Sequence, residues 1–244
     1  MNIRLFVAMC LVVPGLAAAS SASDWKMKEM TPDLENLPSL QRGFRLYLNY
    51  CLGCHSLKYQ RYGRTTSDLG IPRDIAVENL VFTGRKIGEL MVSAMDPEQA
   101  KSWFGAPPPD LTMVARVRDP TWIYNYLTTF YVDTSRPFGV NNKVFPNVGM
   151  PHVMMDLQGL QFCTSPGGGN TDEAGDCELV TEEGGLYSAE DFDRAAYDIA
   201  NFLFYTGEPS RLERHRLGVY VLLFLVVLYV LTFLLGREYS KEVH

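Results

Sequence analysis

Twenty consecutive residues without a charge, Leu217 to Gly236 (LGVYVLLFLVVLYVLTFLLG), restrict this chain's fold more than any other stretch. A bilayer core offers no water to backbone N–H and C=O groups, so a spanning segment must satisfy them internally, and about 20 apolar residues suffice for a helix to cross. Arg216 and Arg237 fence the run, Tyr220 and Tyr239 lie near its ends, and eight residues follow Gly236. Charged fences and interfacial tyrosines are the marks of a membrane helix. A buried helix of a soluble protein would normally show a polar stripe, and this run has none. Residues 216–236 are therefore expected to be a transmembrane helix surrounded by lipid.

The other end carries a different apolar segment. Residues 1–19, MNIRLFVAMCLVVPGLAAA, combine Arg4, an apolar run from Leu5 and small residues at Ala17 and Ala19. They predict a secretory signal peptide cleaved near Ser20, with an uncleaved anchor as the alternative. Arg211, Arg214 and Arg216 precede the membrane helix, whereas Arg237 and Lys241 follow it. Counted alone, those charges would hold the large domain inside. Export by the leader reverses that, giving an exported domain at 20–215 and a cytoplasmic tail at 237–244. The protein is then expected in the inner (cytoplasmic) membrane as a single-pass chain, its domain on the periplasmic side. A net charge of −6 argues against a nucleic-acid partner.

Export decides how the cysteines are read. Of five, Cys10 leaves with the leader, so two pairs remain, Cys51 with Cys54 and Cys163 with Cys177. In an oxidising compartment either pair can form a disulfide. Cys163 and Cys177 bracket TSPGGGNTDEAGD, a Gly-rich polar stretch with little apolar content to hold it, and are expected to be bonded. The first pair differs because His55 follows Cys54 directly, in NYCLGCHSLKYQ.

Two thiols separated by two residues suit the two vinyl groups on one porphyrin edge, and the adjacent imidazole suits the iron. A zinc site would want further ligands at comparable spacing, but His152, His215 and His244 are isolated. A thioredoxin-like dithiol would want a βαβ context, which the flanks LQRGFRLYLNY and SLKYQRYGR do not show. One haem c attached through Cys51 and Cys54, with His55 on the iron, is the expectation.

Phe44, Leu46, Tyr47, Tyr50 and Cys51 recur at helical spacing and predict a helix over about Ser39–Cys54. A second is expected from Ser188, a good N-cap with Glu190 and Asp191 behind it, to Gly207. Its face of Phe192, Ala195, Ala196, Ile199, Phe202 and Leu203 is a natural partner for the first. The expected fold is mainly α, a c-type cytochrome domain with long irregular loops, plus one C-terminal transmembrane helix.

RGFRLYLNYCLGCHSLKYQRYGR, then GAPPPDLTMVARVR, FPNVGM and a single membrane helix after TGEP together resemble the cytochrome c1 family over about Ser39–Gly236. The resemblance implies the haem-bearing, one-electron carrier subunit of quinol–cytochrome c oxidoreductase, the respiratory bc1 complex. Its implied partners are cytochrome b, the Rieske iron–sulfur protein as donor and a cytochrome c as acceptor. It also implies that Pro108 and Pro109 pack on the haem and that Arg116 reaches a propionate.

For the distal ligand the chain offers Met150, Met154 and Met155. Matching Gly-Met to Gly-Met selects Met150, with Met154 the main rival and His152 or an open iron the remaining options. The stretch between Pro146 and Gly149-Met150-Pro151 is shorter than the family pattern. Outside the family, the same residues suit a tethered mono-haem cytochrome of another respiratory chain, or a haem sensor or peroxidase if the iron is open.

No Lys or Arg occurs from Val144 to Asp193, while ten acids do: Asp156, Asp172, Glu173, Asp176, Glu178, Glu182, Glu183, Glu190, Asp191 and Asp193. That run predicts an acidic face able to steer a basic cytochrome c, or else a solvated loop.

Overall fold

The computed structural model describes residues 26–164 and 177–242. The expected leader, and Asp172, Glu173 and Asp176 of the acidic run, lie outside them.

Helix α1, Leu37–Leu46, starts at Asn36, whose side chain accepts from the Ser39 N–H, with Pro38 just inside the first turn. It does not continue as an α-helix to Cys54. Tyr47–Cys51 form a π turn, in which the Leu52 N–H reaches back five residues to the Tyr47 carbonyl at 2.9 Å. One extra residue in a turn rotates the downstream side chains by about 100° relative to an unbroken helix. Hydrophobic spacing did not reveal it, because the buried Tyr47, Leu48 and Cys51 fit either geometry.

After it come β1 (Leu57–Arg61), α2 (Tyr62–Asp68), α3 (Arg73–Asn79), β2 (Leu90–Met91) and α4 (Pro97–Phe104). Next are α5 (Val114–Val117), α6 (Pro120–Thr128), β3 (Phe130–Val132), β4 (Val140–Asn142) and α7 (Met155–Gln158). Strands β5 (Gly159–Thr164) and β6 (Glu178–Gly184) and helices α8 (Ala189–Gly207) and α9 (Arg211–Glu242) complete the order. The strands pair antiparallel in twos, β1 with β2, β3 with β4 and β5 with β6. These ribbons replace part of the irregular structure that the sequence suggests. β2, β3 and β4 have only two or three residues each, too few to show an alternation, and the longer β5 and β6 (GLQFCT and ELVTEEG) mix polar and apolar residues without a strict period of two.

Helix α8 matches its predicted start, for the Ser188 side chain accepts from the Asp191 N–H at 3.1 Å. Its buried face, Phe192, Ala195, Ala196, Ile199, Phe202 and Leu203, packs against α1. Phe202 lies 5.2 Å from the Phe44 ring and 5.8 Å from Tyr47. Arg42 donates through Nε and Nη2 to the two oxygens of Asp198, at 2.6 and 3.0 Å, and Asp198 is buried. Residues 26–36 are strapped across this pair by amide side chains that imitate a strand partner. Asn125 exchanges hydrogen bonds with the backbone of Lys28, and Asn201 with that of Asp33.

Beyond Gly207, α9 leaves the domain as one 32-residue helix, exposed along its apolar length and long enough to cross a membrane. Arg211 and Arg214 both bridge Glu208, and the Arg211 guanidinium lies 5.0 Å from the Phe204 ring, which fixes the helix's exit from the domain.

A disulfide joins Cys163 at β5 to Cys177 just before β6, with Cα atoms 5.3 Å apart. Closing a loop of this size restricts the unfolded chain, worth about 3 kcal/mol in the chain-entropy model. Replacing both cysteines by alanine is expected to lower the unfolding free energy by about that amount. Urea denaturation of the full-length protein measures it, and an unchanged midpoint would mean that the bridge adds nothing to stability.

Candidate haem site

Cys51 closes the π turn, and the chain coils once more behind it. The Cys54 and His55 N–H groups both donate to the Cys51 carbonyl, at 3.1 and 2.8 Å. Cys51, Cys54 and His55 thus share one helical turn, anchored from inside by the buried Tyr47, whose hydroxyl donates to the His55 carbonyl at 2.7 Å. Both thiols are free, unlike Cys163 and Cys177. Burial pushes the Cys51 thiol up to about 12, with Cys54 adding to the shift, and burial raises Cys54 as well. Burial thus disfavours the thiolate form of both.

His55 is held by the segment after α4. Its Nδ1 lies 2.8 Å from the Pro109 carbonyl oxygen, so Nδ1 carries the proton and donates, leaving Nε2 as the nitrogen for a metal. Two neighbouring bonds fix that segment: the Leu111 N–H donates to the Ser56 carbonyl at 2.9 Å, and the Lys58 N–H to Asp110 Oδ2 at 2.8 Å. Burial lowers the His55 pKa, keeping the ring neutral. Pro109 thus orients the imidazole through its carbonyl, and Pro108 beside it is half-buried.

Arg116 sits on α5 with its aliphatic stem over Gly207, where an added Cβ would lie 3.2 Å from Arg116 Cγ. It is exposed and makes no salt bridge among the described residues.

The methionine loop is carried by an aromatic ladder. Trp122 and Tyr126 on α6 stack with centroids 5.0 Å apart, and Tyr126 meets Phe130 of β3 edge-on at 5.2 Å. Each rung touches one loop residue. Trp122 meets Phe145 at 6.4 Å, Tyr126 donates its hydroxyl to Met150 Sδ at 3.4 Å, and Phe130 stacks flat on His152 at 4.8 Å. Asn142 ties the ladder to the loop, donating to the Tyr126 carbonyl and accepting from the Val144 and Phe145 N–H groups. Burial pushes the Tyr126 phenol up, so it remains a donor, and depresses His152 to about 4, so that ring is neutral.

The three methionines have different surroundings. Met150 is half-buried beside Tyr126, Phe130 and Val148; Met154 is enclosed in the main core at 1% exposure; Met155 is exposed. A ligand to an added group needs surface that its own protein does not cover, and among these Met150 combines that surface with a fixed sulfur. Two free thiols on one turn, a neutral imidazole with Nδ1 committed, and a positioned thioether fit a covalently held haem.

Sequence reasoning set Tyr47 on a helix face without its hydrogen bond to the His55 carbonyl, and missed Tyr126 and the ladder. Trp122 and Tyr126 stand at i and i+4 on α6, a spacing that marks one helix face and was available as a signal, whereas Phe130 lies past the end of that helix on β3. Of the acids in the lysine- and arginine-free run, Asp191 pairs with Arg194, Asp193 with Lys28 and Tyr124, and Asp156 accepts from Tyr50.

The Cytochrome C1 family model matches residues 25–243. A cytochrome c1 of Allochromatium vinosum is 48% identical, covering 99% of each chain. An ammonia monooxygenase gamma subunit of Nitrosomonas europaea is 39% identical over the whole of both chains. A cytochrome c1 of Rhodospirillum rubrum is 27% identical, covering 90% of this chain and 89% of its own.

Proposed function

This chain belongs to the cytochrome C1 family, and from that premise we propose that it passes single electrons from the Rieske iron–sulfur protein to a cytochrome c within a bc1 complex containing cytochrome b. The observation that carries the reading is the turn Cys51–His55 with its imidazole fixed through Pro109. When bound, haem c supplies the one-electron couple.

Cys51 and Cys54 would hold the haem as thioethers, and His55 Nε2 and Met150 Sδ would bind its iron, with Pro108 and Pro109 as packing neighbours. Arg116, exposed and free of salt bridges among the described residues, has the chemistry to pair with a propionate. A methionine-ligated iron lacks the open position a peroxidase or gas sensor needs, and thioether ligation favours the reduced state. A rigid loop of neutral amides and stacked rings suits a carrier whose ligands stay fixed between oxidation states.

We place the domain on the periplasmic side of the inner membrane after removal of residues 1–19, with residues 216–236 in lipid and 237–244 cytoplasmic. A reporter fused after His244 tests this, since export of the reporter would overturn it. An acidic docking face for cytochrome c retains Glu178, Glu182 and Glu190 as exposed acids among the described residues, because Asp191 and Asp193 are already paired.

Mild detergent extraction through a C-terminal tag tests the assembly. Co-purification with a di-haem cytochrome b and a Rieske protein is expected. The name of the Nitrosomonas europaea relative supplies the competing result. Recovery with a monooxygenase, and without cytochrome b, would overturn the bc1 reading.

A further inference from the structure

We propose that Tyr126 is a positioning residue for Met150, whose hydroxyl hydrogen bond to the thioether sulfur sets that sulfur's strength as an electron donor. The inference rests on Met150 being the distal ligand and adds to that reading a residue outside the haem-binding motifs.

A thioether sulfur has two lone pairs. If one is given to a metal, the other remains an acceptor, and the Tyr126 hydroxyl lies 3.4 Å from it. Donation from the phenol draws electron density from sulfur. It weakens the bond to the electron-poor ferric ion more than to the ferrous ion, so the reduced state gains. The hydroxyl is not free to turn elsewhere at low cost. Its ring is fixed between Trp122 and Phe130, and its own backbone carbonyl is held by Asn142 at 2.8 Å. The contact also limits rotation of the Met150 side chain, so sulfur is oriented before a metal binds. Met154 and Met155 have no such donor among the described hydrogen bonds.

Tyr126→Phe retains the ring and its stacking and removes only the donor. In the haem-loaded full-length protein it is expected to keep the covalent haem and the far-red absorption band of methionine–iron ligation. The equilibrium constant for reduction against a fixed reference couple should fall about two- to fivefold, the scale of one neutral hydrogen bond. In the reduced wild type, proton NMR should show a slowly exchanging hydroxyl in contact with the ligand methionine's methyl group, a cross-peak absent from Tyr126→Phe.

An unchanged reduction equilibrium in Tyr126→Phe overturns the inference while leaving Met150 as ligand. If Met150→His retains the methionine–iron band, the ligand reading fails and the inference with it. Should Tyr126→Phe fail to accumulate with haem, the wild-type cross-peak decides, its presence supporting the contact and its absence overturning it.

Discussion

Met150→His is expected to leave the haem covalently attached, abolish the far-red band and lower the reduction potential by a substantial fraction of the ~0.8 V over which axial ligands set haem potentials. Imidazole nitrogen is a stronger donor to ferric iron than thioether sulfur, so the exchange removes the preference for the reduced state. Attachment should survive because Cys51, Cys54 and the His55–Pro109 contact belong to segments 47–58 and 108–112, apart from the methionine loop. Met154→His is the control. Met154 is enclosed in the main core, so a polar ring there should destabilise the fold without a selective loss of the band. A lost band in Met154→His with an intact one in Met150→His would reverse the assignment. Redox titration with visible spectroscopy reads both quantities from one sample. Electron transfer into the Met150→His variant should slow as its potential falls.

How much of the molecule was legible in the sequence depends on the range of the interactions involved. The cysteine–histidine turn, the Ser188 cap and the apolar run in α9 are set by residues within a few positions of one another, and each can be read locally. The π turn was hidden because it changes where side chains point without changing which are apolar. The three ribbons depend on pairing between strands of weak pattern. The charge run was legible as composition, but the pairing of Asp193 with Lys28, 165 positions away, is a property of the fold alone. Likewise Tyr126 reaches Met150 across 24 positions, a contact that helical spacing places on the right face but cannot assign to a partner.

Gly43→Ala is expected to destabilise the haem domain by about 3 kcal/mol or more, toward the upper end of the usual cost of overpacking. In an isolated helix the same change would help by about 1 kcal/mol, because alanine is the better helix former. Packing decides the sign. A Cβ at Gly43 would lie 2.0 Å from the Asp198 carbonyl oxygen, 2.7 Å from its carbonyl carbon and 2.8 Å from Phe202 Cβ. Two of these are backbone atoms of α8, so no rotamer change relieves them and the helices must separate. The neighbouring Arg42–Asp198 pair depends on the same close approach, since Asp198 is buried and accepts both guanidinium bonds. Separation would stretch those bonds around a charge that burial makes costly to leave unpaired. Phe44 and Tyr47 would also lose contact with Phe202, and Tyr47 is the residue that anchors the Cys51–His55 turn through the His55 carbonyl. The variant should therefore unfold at lower denaturant concentration and accumulate with less attached haem. Gly53→Ala, where an added Cβ meets nothing within 4 Å, should leave the unfolding midpoint nearly unchanged. Equal midpoints for Gly43→Ala and the wild type would show that α1 and α8 do not cross at this contact.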